Sequence, residues 1–179
     1  MLEIVEYLCY YEWNELERPW GIYDKRWYVV RNSIVILARI GNDAAMSHLA
    51  KAANHEEKRV RLQLVQSLQD SPAAAALDIL KDAVRDPDFE VRREAINSIV
   101  ARRGQPAFDA ITELINDDQF VKLDLEEQRQ LLRAYSILGG QYALEFLEKL
   151  ISQPNLFKSH GVARLRDAAF EALAHNRSD

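Results

Sequence analysis

The chain contains a single cysteine, Cys9. No internal disulfide can form, and nothing in the cysteine usage points to an oxidising compartment. Long apolar runs are missing: no stretch approaches the roughly 18 consecutive apolar residues that a spanning helix needs. The opening MLEIVEYL carries two acids, and no basic residue comes before Arg18. That is the wrong pattern for a secretory signal, so a cytoplasmic location is expected. Positive charge is not in excess either. Lys and Arg total 23 against 28 Asp and Glu, a net charge of −5, which argues against a broad nucleic-acid or anionic-membrane footprint. Glycine and proline are few, six and five in 179 residues, so the places where they occur carry information.

What is present is apolar and periodic. Hydrophobic residues make up 48% of the chain, enough to bury a sizeable core and to exclude disorder as the dominant state. Aromatic residues crowd one end. Trp13, Trp20 and Trp27, with Tyr7, Tyr10, Tyr11, Tyr23 and Tyr28, all lie in the first 28 residues. The remainder is rich in Leu, Ile, Val and Ala.

A repeat organises that remainder. Val30-Arg31, Val60-Arg61 and Val91-Arg92 recur at spacings of 30 and 31, and Gln128-Arg129 and Leu165-Arg166 each follow after 37. Apolar residues at helical spacing come after the first four pairs, as in Ile34, Leu37 and Ile40 or Ile96, Ile99 and Val100. A break follows each time: Gly41-Asn42-Asp43, Asp70-Ser71-Pro72, Gly104-Gln105-Pro106 and Gly139-Gly140. Gly and Pro there end one helix and let another begin. The second helices open on Ala45-Met46, Ala76-Leu77, Ala107-Phe108 and Ala143-Leu144. Each unit is therefore two antiparallel helices. None covers its apolar face alone, so the units must stack.

The stretches DPDFEVRREAINSI (86–99), VVRNSIVILARIGNDAAMSHL (29–49) and LGGQYALEFLEKL (138–150) resemble the HEAT repeat. The likeness is to the short bacterial type first noted in phycobilisome-lyase-like proteins. It implies an all-α fold, an α-α superhelix or HEAT-like solenoid of antiparallel helix pairs. The expected organisation is an N-terminal amphipathic aromatic cap helix over 1–25, then repeats at about 26–57, 58–89, 90–123 and 124–162, and a half-repeat at 163–179. Two departures stand out: the second unit lacks Gly before its second helix, and Gln128 stands where Val is usual.

Arg31, Arg61, Arg92, Arg129 and Arg166 share one repeat-equivalent position. A ligand site seldom needs the same residue in every unit, whereas a stacking device does. The resemblance implies that each such Arg pairs with an acid or a helix-end carbonyl of a neighbouring unit. Asp86-Pro87-Asp88 is expected to cap the helix that carries Arg92.

The resemblance also implies that the second helices line an inner face. Aligning them gives one column of Ser47, Asp78, Asp109 and Glu145 and another of Lys51, Asp82, Glu113 and Lys149, with His48, Ile79, Ala110 and Phe146 between. The acids suggest a concave groove for a basic or mixed-charge protein segment, with Ile79 and Phe146 as apolar contacts. The alternative is the ordinary solvated face of a helix. Outside the groove, 118–127 lengthens the third connection and 152–164 forms a longer loop, in which Leu156 and Phe157 either fold back as a plug or serve a function. The N-terminal aromatics, Trp13, Trp20 and Trp27 among them, either cap the array or dock a partner.

A catalytic constellation is not legible. His48, His55, His160 and His175 fall in different units without metal-ligand spacing. No GxSxG, P-loop or GxGxxG occurs, and Gly139-Gly140 reads as a helix break. Cys9 has no nearby base and lies on an apolar face. Asp109 and Glu113 have the chemistry for acid–base work, but nothing orients a substrate beside them. No catalytic residue, metal or cofactor is therefore expected. The expected function is a non-enzymatic scaffold or adaptor in a bacterial regulatory protein, as a monomer or as a module of a larger chain. One alternative is a lyase or chaperone for a chromophore-bearing protein, although no Cys or His cluster suited to a tetrapyrrole is present. Nucleic-acid binding is less favoured, because it needs a basic groove.

Overall fold

The computed structural model describes residues 26–152 and 160–174. The expected 1–25 cap helix, with Cys9, Trp13 and Trp20, lies outside the described residues, as do the Leu156–Phe157 plug and His175. Every regular element among the described residues is helical. In chain order these are α1 (Trp27–Ile40), α2 (Asp43–Ala52), α3 (Lys58–Gln69), α4 (Ala76–Ala83), α5 (Phe89–Arg102) and α6 (Gly104–Asn116). A 3₁₀ turn at Phe120–Lys122, α7 (Leu125–Ser152) and α8 (His160–Ala174) follow. The fold is all-α, built of helix pairs joined by short connections that force antiparallel neighbours. The chain falls into two compact units, 1–98 and 99–179.

In the first unit, α1 is amphipathic. Val30, Ile34 and Leu37 recur every three or four residues and are fully buried. The Gly41 N–H closes the helix on the Leu37 carbonyl at 3.0 Å. Asn42 then starts α2, its side-chain oxygen accepting from the Ala45 N–H at 2.8 Å, a cap of about 1 kcal/mol. α2 turns Ala45, Met46 and Leu49 inward, α3 buries Val60, Leu64, Val65 and Leu68, and α4 buries Ala76, Ile79, Leu80 and Ala83. α1 packs on both α2 and α3, and α3 on α4. This is the contact pattern of a stacked repeat: α1, a first helix, meets its own partner α2 and the next first helix α3. The second helix pair has no Gly at its turn. Ser71 and Pro72 serve instead, the buried Ser71 hydroxyl accepting from the Ala73 N–H at 3.4 Å.

The expected cap of α5 forms. The Asp88 carboxylate accepts from the Glu90 N–H at 2.9 Å, while Asp86 accepts from the Asp88 N–H at 2.8 Å. The α5–α6 junction is a single strained residue, Arg103, at φ 54° and ψ −179°. A non-glycine residue there costs on the order of 1–3 kcal/mol. Gly104 and Pro106 belong to the first turn of α6, where proline is tolerated because its missing N–H has no helical partner.

In the second unit, α6 packs on α7 and α7 on α8. Ala107, Ala110, Ile111, Leu114 and Ile115 of α6 are buried, as are Leu131, Leu132, Tyr135, Ala143 and Leu147 of α7. The lengthened 118–127 connection folds its own side chain inward: Phe120 is buried within the 3₁₀ turn. Asp124 and Glu127 then start α7 with a reciprocal capping box. Asp124 Oδ1 accepts from the Glu127 N–H at 2.9 Å, and Glu127 Oε2 from the Asp124 N–H at 3.4 Å. Gln128 is explained by the same insertion, since its buried side chain donates to the Phe120 carbonyl at 3.0 Å.

The expected break at Gly139-Gly140 is present: two helical stretches, both counted within α7, meet at Gly140, whose φ 49° and ψ −124° are not helical. Gly139 has a different reason to be glycine, because a Cβ there would meet the Phe108 ring at 2.5 Å. One expectation needs correction: residues 160–164 of the loop expected over 152–164 are helical, because α8 begins at His160.

Candidate interaction site

The repeat-equivalent arginines do not behave alike. Arg61 and Arg92 share one geometry. Arg61 donates through Nη1 to the carbonyls of His55 and Glu56, at 2.7 and 3.1 Å. Arg92 donates through Nη1 to those of Asp86 and Pro87, at 2.8 and 3.0 Å. In both, the side chain of a first helix ties down the loop that precedes it, six and five residues upstream. Arg61 also forks onto Asp86, from Nε at 2.7 Å and from Nη2 at 3.1 Å. One guanidinium thus holds two successive inter-helix loops. The Asp86 hydrogen bonds raise the Arg61 pKa, an effect opposed by burial.

Arg129 differs. It lies beside Glu171 of α8, 3.5 Å from Nε, and beside Glu126, 3.7 Å from Nη1. Its buried Nε makes no hydrogen bond. The Arg166 side chain lies outside the described set. Arg31 is a correction: among the described residues, no acid or helix-end carbonyl receives it. Its guanidinium sits 5.9 Å from the centre of the Trp27 ring, one helical turn back.

On the second helices, Asp78 and Asp82 of the first unit are exposed, as are Asp109, Glu113 and Glu145 of the second. Local partners include Lys81, 3.4 Å from Asp78, and the Gln105 amide, which donates to Asp109 at 2.7 Å. Ser47, Lys51 and Lys149 are exposed too. The intervening column turns inward. Ile79 is 7% exposed and Ala110 4%, so Ile79 offers a partner no contact area, contrary to expectation. The reason is its register, one residue before the buried Leu80 at the centre of the α4 apolar stripe. Phe146 is half-buried, edge-on to Tyr135 at 5.1 Å, and Tyr135 in turn stacks at 5.1 Å on Phe108. This aromatic trio is not legible in the sequence, because its members are 11 and 27 residues apart on α6 and the two arms of α7. Burial raises the Tyr135 pKa. His48 is half-buried; desolvation first, then the nearby Lys51 charge, lower its pKa.

Sequence reading also missed a cluster around Trp27. Arg59 of α3 lies 5.1 Å from the Trp27 ring centre, opposite in sequence to Arg31, and Arg26 lies 5.9 Å from that of Tyr28. The i, i+4 spacing of Trp27 and Arg31 was the available signal. Among the described residues, no three His, Cys, Asp or Glu side chains gather as metal ligands. No helix among them is long and apolar enough to cross a membrane.

Comparison with known proteins agrees with this geometry. No curated protein matches the chain. Residues 46–128 match the family model of HEAT repeats, a stretch that runs from α2 into α7 and contains the loop-clasping Arg61 and Arg92. With its stacked helix pairs and this match, the stretch 46–128 is built of HEAT repeats.

Proposed function

We propose that this chain is a non-catalytic protein-binding scaffold whose second helices present carboxylates to a basic or mixed-charge segment of a partner protein. One observation carries the reading. Asp78, Asp109 and Glu145 occupy equivalent places in three helix pairs and are exposed, while Ile79 and Ala110, which follow the first two, turn toward the core. The acids therefore repeat on the outward side of each second helix, with no core role. HEAT repeats in general mediate protein–protein interaction, and complementary charge supplies steering and specificity in such contacts. Phe146, half-buried, is the apolar contact that remains available.

The test is an affinity pull-down from native lysate, read by mass spectrometry, with the chain beside Asp78→Lys/Asp109→Lys. Both positions are exposed, so circular dichroism should show an unchanged fold. Loss of a partner carrying a basic segment in the variant supports the reading. An unchanged set of captured proteins overturns it.

A further inference from the structure

We infer that the start of α1, together with the start of α3, is a second docking surface, and that its occupant is a short acidic segment of a partner protein. The surface is built on Trp27. The Arg59 guanidinium lies 5.1 Å and the Arg31 guanidinium 5.9 Å from its ring centre. Tyr28, 47% exposed, stands edge-on to Trp27 at 6.1 Å, with the Arg26 guanidinium 5.9 Å from its own ring. Three guanidiniums thus surround two neighbouring aromatic rings.

Arg31 and Arg59 differ in kind from Arg61 and Arg92, whose donors are taken up by carboxylate and carbonyl oxygens. Arg31 makes no ion pair with any described residue, and the Arg59 Nε comes only within 3.9 Å of Glu57. The Arg59 side chain is 67% exposed. Stacking against an aromatic face holds a guanidinium in place while leaving its in-plane N–H fork available, and that fork matches a carboxylate. Because the ring already restrains them, the side chains lose less freedom when a ligand arrives. The backbone adds to the same field. α1 begins with no side-chain cap and no acid in its first turn, so the positive end of its dipole faces no local anion on the helix itself.

The charge pattern selects the occupant. Lys58, beside Arg59, is already held by Glu90 at 2.7 Å and Asp88 at 3.3 Å. The basic area is therefore confined to the guanidiniums and bordered by carboxylates. A long polyanion such as nucleic acid, whose binding grows with the number of phosphates neutralised, would meet those acids and a net charge of −5. A few carboxylates flanked by an apolar residue for Tyr28 fit the available area. This inference is independent of the acidic second-helix faces and survives if that reading fails.

The experiment is fluorescence anisotropy with fluorescein-labelled octaglutamate, at low salt and again at about 0.5 M, where exposed charges are largely screened. Oligothymidine serves as the competing polyanion. The expected result is saturable, salt-sensitive octaglutamate binding that weakens about tenfold in Arg31→Gln/Arg59→Gln, roughly the loss of one or two charge-assisted hydrogen bonds. A thermal melt shows whether that variant is folded. If it melts early, Arg59→Gln alone carries the test, with a threefold weakening expected. No octaglutamate binding, or equal binding by a folded variant, overturns the inference. So does oligothymidine binding tighter than the peptide and lost in the same variant.

Discussion

A guanidinium offers five N–H donors in a rigid fork, and Arg61 directs four hydrogen bonds from it to three acceptor residues in two loops. Its side chain is 11% exposed and that of Asp86 is 5% exposed. Breaking such a pair leaves a carboxylate buried without its cation, which costs about 3–5 kcal/mol. Arg61→Ala is expected to destabilise the protein by about 3 kcal/mol in urea titration. Arg61→Lys should recover little of that, because one ammonium cannot reproduce the two-sided fork. Ser98 presents the opposite case. Its hydroxyl is fully buried with no hydrogen-bond partner. An unsatisfied buried hydroxyl costs on the order of 1 kcal/mol, and alanine is the better helix former. Ser98→Ala is therefore expected to raise the urea midpoint, with a gain of about 1 kcal/mol.

At the scale of the element, α5 shows how a turn becomes a helix start. Partial desolvation pushes the Asp88 pKa up, but the Glu90 and Val91 N–H groups and the Lys58 ammonium outweigh it and hold the carboxyl below its ordinary value. A carboxyl with a lowered folded-state pKa contributes its stability in full above the unfolded value. The contribution is lost as pH falls through the folded value. Asp88→Asn should thus flatten the acid limb of the stability curve between neutral pH and about pH 3, checked by urea midpoints across that range. If wild type and variant lose stability in parallel, the cap contributes no pH dependence. The helix breaks follow the same logic of local satisfaction. The break at Gly139-Gly140 comes from Gly140, which takes a positive φ, while Gly139 lets the Phe108 ring approach.

At the scale of the molecule, charge is sorted by position. Acids recur on the outward side of the second helices, and exposed arginines gather on Trp27 at the start of α1. A partner held by the acidic faces should dissociate as salt rises, since exposed pairs are screened over roughly 8–10 Å at 0.1–0.15 M ionic strength. Surface plasmon resonance across a salt series checks this. The expectation is a falling association rate with a smaller change in dissociation. Affinity that does not change with salt would place binding on apolar contact instead. Asp78→Lys/Asp109→Lys should reverse the sign of the dependence.

The all-α class, the helix pairing and the repeat period were legible in the amino-acid order alone. They rest on local physics: apolar spacing near 3.6, caps such as Asp88, and Gly or Pro at the turns. So was the recurrence of the arginines, although not their fates. Those depend on which acceptor the neighbouring loop brings within reach. Arg61 finds Asp86 25 residues away, while Arg31 finds the Trp27 ring. The acids could be listed from the sequence, but their exposure, and the burial of Ile79 beside them, follow from the rotation of each second helix against the core. The Phe108–Tyr135–Phe146 trio and the Arg59–Trp27 contact join residues that no periodicity links. Only tertiary packing decides such contacts, because it sets distance between side chains whose separation along the chain carries no information about it.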